Sequence, residues 1–139
     1  MSNLMTGSVL TRVSNAAAAG TSNINCTSVD MAGYDQVTFI AAFGTLTATQ
    51  VTGLKLQHSD DNSSFSDVTS GATSAMADGD SNKILTATYS RPSKRYVRVV
   101  VTRGTANAVV DGVFALQSRA RSLPVTQSSS VSASVTVTI

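Results

Sequence analysis

Glutamate and tryptophan are missing from this chain, and cysteine and histidine occur once each, as Cys26 and His58. A single cysteine excludes an internal disulfide and leaves the redox compartment open. One His and one Cys are too few for a zinc site, which needs a cluster of such ligands. Charged residues make up 13% of the sequence, against about 25% in ordinary globular proteins. No apolar run approaches the roughly 20 residues that cross a bilayer. The start, Met1-Ser2-Asn3-Leu4-Met5-Thr6-Gly7, has neither the charged beginning nor the long apolar stretch of a secretory leader. Synthesis in a cytosol without export by that route is therefore expected.

Ser, Thr, Ala, Asn and Val supply most of the polymer. Thr and Val favour strands, whereas the absent Glu and the scarce Lys favour helices, so the composition predicts an all-β protein. A chain of 139 residues is long enough for one domain with its own core. The sparse charge fits either a plain Ser/Thr-rich domain or a surface covered in an assembly.

The net charge of +2 conceals two halves. Between Cys26 and Asp80 lie seven aspartates and one cation, Lys55. Between Arg91 and Arg121 lie seven cations and one anion, Asp111. Such a chain can pair with itself or with copies of itself, and it is too balanced to coat nucleic acid.

Along the chain, residues 1–20 read as an N-terminal arm, 21–124 as a β-sandwich domain and 125–139 as a C-terminal arm. Asn15 to Gly20 is too short to nucleate a helix alone. Gln36 to Phe43 alternates apolar and mixed positions. Val51 to His58 carries Leu54 and Leu56 on one face, Ser59 to Ser63 is a turn by composition, and Ser64 to Val68 runs back. A loop covers about 70–82, followed by a strand from Lys83 to Tyr89. Arg95 to Arg103 and Ala108 to Gln117 predict a hairpin closed by Gly104 to Asn107, with Val97, Val99 and Val101 opposing Phe114, Gly112 and Val110. That register sets Arg98 diagonal to Asp111, within ion-pair reach, and leaves room at Gly112 for a bulky neighbour. Pro124 closes the core, since it cannot donate to a central ladder. A Ser128-Ser129-Ser130 linker then leads into Val131-Ser-Ala-Ser-Val-Thr-Val-Thr-Ile139, an unbroken period-2 alternation. A strand edge of this kind invites pairing.

Candidates for chemistry are few. Asp60 to Asp67 offers oxygens to calcium but lacks the Gly and Glu positions of an EF-hand loop, and it reads as a solvated turn, as does Asp78-Gly79-Asp80. His58, Ser59 and Asp60 are chain neighbours, and neighbours on a strand point to opposite faces, so they do not assemble a triad. Cys26 reads as a small buried residue. Arg91, Lys94, Arg95, Arg98 and Arg103 with Tyr89 and Tyr96 spread along an edge and form no groove for nucleic acid. No enzyme activity, cofactor, metal or membrane contact is expected.

Several motifs in order carry a resemblance. They are Val29-Asp-Met-Ala-Gly-Tyr-Asp-Gln-Val-Thr-Phe-Ile40, Asn82-Lys-Ile-Leu85, Tyr89-Ser-Arg-Pro-Ser-Lys-Arg-Tyr-Val-Arg98, Asn107-Ala-Val-Val-Asp-Gly112, Ala115-Leu-Gln117 and Leu123-Pro-Val-Thr126. Together, from roughly Val13 to Thr126, the chain resembles the capsid cement, or decoration, proteins of tailed bacteriophages. The resemblance implies a jelly-roll-like sandwich made in the host cytoplasm that sits on the outer surface of the virion. There it would bind and bridge the major capsid protein, stabilise the shell, and associate with itself as a dimer or trimer. The contact residues expected on that reading are Leu4, Val9, Leu10 and Arg12 in the N-terminal arm and Arg98, Arg103, Arg119 and Arg121 in the basic half. The tail after Gln127 lies outside the resemblance, and there the strand alternation alone predicts contacts at Val131, Ala133, Val135, Val137 and Ile139. A second, local likeness joins Leu54 to Val68 with Arg95 to Val99, which is similar to galactose-binding-like jelly rolls. It implies, as the alternative, a carbohydrate-binding module on the virion surface. Such modules usually expose aromatics, and this chain has three Tyr and no Trp.

Overall fold

The computed structural model describes residues 3–138. Asn3 caps a single helical turn, α1 (Leu4–Gly7), by accepting from the Met5 and Thr6 amides. Ten strands follow, beginning with β1 (Val9–Ser14), β2 (Ala17–Gly20), β3 (Ile24–Asn25), β4 (Val29–Asp30) and β5 (Tyr34–Leu46). The remainder are β6 (Val51–Ser59), β7 (Ser66–Ala72), β8 (Ile84–Ser90), β9 (Tyr96–Gly104) and β10 (Ala108–Ala120).

Two antiparallel five-stranded sheets face each other. One runs β1-β10-β5-β8 with β2 also on β10, and the other runs β3-β9-β6-β7 with β4 also on β9. If β1/β2 and β3/β4 are each counted as one interrupted strand, the eight strands follow the order of a jelly roll, a double Greek key. Consecutive strands then change sheet at every step except β6 to β7. The expected β-sandwich is therefore the observed fold.

The core forms where period-2 alternation turns side chains inward from both sheets. Val37, Phe39, Ala41 and Phe43 of β5 meet Val97, Val99 and Val101 of β9 and Leu54 and Leu56 of β6, all buried. Phe39 sits in register between Ala115 and Ala87. Small residues in the flanking strands leave lateral room for its ring.

Three expectations change. First, β9 and β10 do not form a hairpin, because each belongs to a different sheet. Gly104 to Asn107 arches across the sandwich, and the two apolar faces pack through the core instead of lying side by side. Arg98 consequently bonds Gln57 Oε1 at 2.9 Å and stacks 4.0 Å over the Phe65 ring. It does not meet Asp111, which is exposed. A Cβ at Gly112 would meet the Arg12 guanidinium at 3.4 Å, on the outer side of the sheet, so the residue makes no room for the facing sheet.

Second, the expected N-terminal arm is largely sheet. β1 pairs with β10 from Val9↔Gln117 to Ser14↔Val113, and Val9 and Val13 are buried. The alanine run becomes β2 on the same strand. Third, the serine stretch is no loose linker. Gln127 Oε1 accepts from Leu10 N at 3.0 Å, Ser128 Oγ donates to Leu10 O at 2.7 Å, and Ser130 Oγ accepts from Arg12 N at 3.1 Å. These side chains satisfy the open edge of β1 and moor the root of the tail. The β6–β7 hairpin through Ser59 to Ser64 stands as expected.

Candidate functional site

The acidic and basic halves of the sequence meet inside one molecule. Arg95 forms a two-point bond with Asp30 at 2.9 and 2.8 Å, Arg121 reaches Asp35 at 3.0 Å, and Lys94 approaches Asp60 at 3.9 Å. The Arg95 guanidinium holds the Asp30 carboxyl below the usual carboxylate range. These pairs are exposed and screened by solvent, so they set loop geometry more than stability.

The same loops line a basin of about 480 Å³ at one end of the sandwich. Its walls include Tyr34, Asp35, Arg91, Lys94, Arg95 and Arg121. Three of its four cations, Lys94, Arg95 and Arg121, are already paired with aspartates, and it offers one aromatic ring. That lining lacks the aromatic platforms that stack on neutral sugars.

The residues weighed for chemistry are all occupied locally. His58 Nδ1 lies 3.0 Å from the Tyr89 hydroxyl, and burial with Lys94 nearby pushes its pKa down. Ser59, its chain neighbour, faces the other way and donates to Asp61 Oδ1 at 2.7 Å. Burial pushes the Cys26 thiol up to about 11, which keeps it protonated and unreactive at neutral pH. Among the described residues no group of three His, Cys, Asp or Glu side chains is placed to hold a metal ion. Among the described residues no helix is long and apolar enough to cross a membrane.

Asp61 Oδ1 also accepts from the Ser63 and Ser64 amides at 2.9 Å, so the acidic turn is built around its carboxylate. Those bonds, with the Ser59 hydroxyl, lower the Asp61 pKa to about 2. A depressed carboxyl pKa contributes stability above its unfolded value and loses it as pH falls through the folded value. The Ser63 and Ser64 amide resonances should therefore titrate with a midpoint near pH 2. A midpoint near the ordinary value of about 4 would contradict this turn.

The expected contact residues do not converge on one site. Leu4 is exposed in the helical turn, whereas Val9 is buried in the core. Leu10 and Arg12 lie on the outer face of the first sheet, and Arg12 covers the Phe114 ring at 5.7 Å. Arg119 is exposed. Arg121 is paired with Asp35, and Arg98 is held by Gln57 and Phe65. Arg103 is an internal clamp and no outward foothold. It donates to the carbonyls of Ser22, Ala18 and Ala108 at 2.7, 3.0 and 2.8 Å.

The tail is the exception. Residues 131–138 have no strand partner, and Val135 and Val137 are 87% and 79% exposed. Val131 and Ala133 precede them in the same segment, which forms no helix or strand, and Ile139 lies outside the described residues.

Sequence reasoning missed two surfaces. Gln127, Ser128 and Ser130 look like linker by composition, and their β1 partners lie more than a hundred residues away. On the outer face of the first sheet, Leu116, Phe114 and Ile40 form a half-buried apolar band. The signal for it was present, because Phe39-Ile40-Ala41-Ala42-Phe43 is apolar on both parities. No protein-family model matches the chain, and no curated protein matches it significantly.

Proposed function

We propose that this protein is a structural attachment protein, a decoration protein that binds the outer surface of a tailed-phage capsid, bridges neighbouring capsid proteins and stabilises the assembled shell. One observation carries the reading: a β-sandwich whose reactive side chains are locally engaged ends in an exposed, strand-patterned segment moored at its root. Exposed valines at alternate positions gain by pairing with a strand edge. The resemblance of its ordered motifs to those of phage decoration proteins supports the setting. The mechanism is linkage: a protein that binds the assembled shell better than loose subunits shifts the balance toward assembly. Many copies convert modest contacts into avidity.

The test is to add the full chain to shells of the encoding phage assembled without it. Saturable co-sedimentation with a raised shell-disruption temperature is expected. Absence of retention together with specific binding on a glycan array would overturn the reading in favour of a carbohydrate-binding module.

A further inference from the structure

The tail needs an edge, and the sandwich differs at each edge it offers. The outer side of β1 is already satisfied by Gln127, Ser128 and Ser130. β3 and β4 are two residues each. β7 has an irregular register opposite Lys55 and Gln57, a left-handed Ser70 at φ 60°, and Asp67 on the strand. Short strands, bulges and charges are the devices that blunt an edge.

β8 has none of them. Its seven residues, Ile84-Leu-Thr-Ala-Thr-Tyr-Ser90, carry no charge, Gly or Pro. They pair with β5 in unbroken register from Gln36↔Ser90 to Ala42↔Ile84. Among the described residues no strand occupies its outer side. Beside it a cavity of about 190 Å³ opens between β7 and β8, lined by Leu56, Gly71, Ala72, Thr86, Ala87 and Thr88. Leu56 and Ala87 belong to the core, so the sandwich is incompletely closed along this flank.

A strand laid against β8 directs every second side chain toward that gap. The tail presents small apolar side chains at that spacing: Val131, Ala133, Val135 and Val137. Its nine residues cover the seven of β8 with two to spare.

We propose that residues 131–139 of one copy add as a strand to β8 of a second copy, with the alternate valines closing the gap over Leu56 and Ala87. A second copy fits better than the tail's own β8 on reach. The tail is moored at β1, three strand spacings or about 14 Å across the sheet from β8. Crossing that distance consumes about four residues at 3.3 Å each, so Val131 and Ala133 would be used up in the crossing and could not reach the gap. This pairing rests on the attachment reading for its view of the tail as a strand, and it names the partner which that reading leaves open.

The test needs no capsid. The full chain and a chain ending at Ser130, which keeps the mooring side chains, are compared by sedimentation and by hydrogen exchange. The full chain should sediment at a multiple of 14.3 kDa, and the truncated chain as a monomer. The Leu85–Tyr89 amides that face outward should exchange at least about tenfold more slowly in the full chain. A synthetic peptide of residues 131–139 should restore that protection to the truncated chain. The Val135→Asp/Val137→Asp variant, altered only at exposed positions, should behave like the truncation. A monomeric full chain, association that survives truncation, or protection gained at β7 with none at β8 would overturn the pairing. A monomeric full chain that still binds shells would sink this inference alone and leave the attachment reading standing.

Discussion

Phe39→Ala should lower the unfolding free energy by about 3–5 kcal/mol, the range for deleting a buried ring. Phe39 is fully buried on β5, a central strand of the first sheet. Its register partners are Ala115 and Ala87, which carry too little side chain to collapse into the space. The cavity term is therefore retained almost whole. Against a typical total of about 5–15 kcal/mol, the loss brings the domain close to unfolding. Urea denaturation should show the midpoint falling by roughly 2 M at an ordinary m-value. Thr86→Ala, on the exposed face of β8, should stay within about 0.5 kcal/mol. Equal losses at the two positions would mean that the inner and outer faces of the first sheet are wrongly assigned.

The second large effect is expected at Arg103, for a different physical reason. Its guanidinium ties together Ala18 in β2, Ser22 in the following loop and Ala108 at the start of β10. Gly20 makes the approach possible, since a Cβ there would stand 3.1 Å from Nη2. Charge-assisted bonds contribute about 1.5–3 kcal/mol each when their partners are left without a replacement. Ala18 is exposed and regains water, while Ala108 is fully buried and does not. Arg103→Ala should therefore cost about 2–3 kcal/mol in total. Arg103→Lys should recover less than half of that, because a point charge cannot reach three carbonyls in a fixed fork. Arg119→Ala, an exposed cation in the same basic half, should stay within about 0.5 kcal/mol. Matching losses at Arg103 and Arg119 would refute the clamp.

Arg103 also marks how far the sequence could be read. Alternation identified β5, β6, β9 and β10 as strands, and the Ser59 to Ser63 turn located the β6–β7 hairpin, because both signals are local. The partnership of β9 with β10 was not legible. Two alternating strands joined by four residues bury the same parity whether they lie side by side in one sheet or face each other about 10 Å apart across two. Which arrangement wins depends on β5 and β6, which compete for the inner positions of the two sheets, and that competition is tertiary. For the same reason a row of cations read as a contact surface resolves into separate roles. Arg95 and Arg121 are paired with aspartates from the acidic half, Arg98 stacks on Phe65, and Arg103 clamps backbone. The Ser128 to Ser130 stretch was misleading because its hydroxyls act at a distance, on the edge of β1.

The tail is the feature that the fold leaves unspent. A moored root and an exposed alternating end separate two duties: residues 127–130 belong to the sandwich, and residues 131 onward are free to pair. Linking copies through such a segment raises their hold on a repeating surface without any new contact to that surface.

The proposed attachment function is tested most directly by the retention of the full chain and of the chain ending at Ser130 on tailed-phage shells, taken from the phage that the proposal assigns as its source and assembled without this protein, measured side by side across concentration. Saturable binding is expected for the full chain, and binding weaker by about a hundredfold for the truncated one, as avidity is lost. Identical binding curves would remove the tail from the attachment mechanism, and no retention of the full chain at any concentration would contradict the attachment function itself.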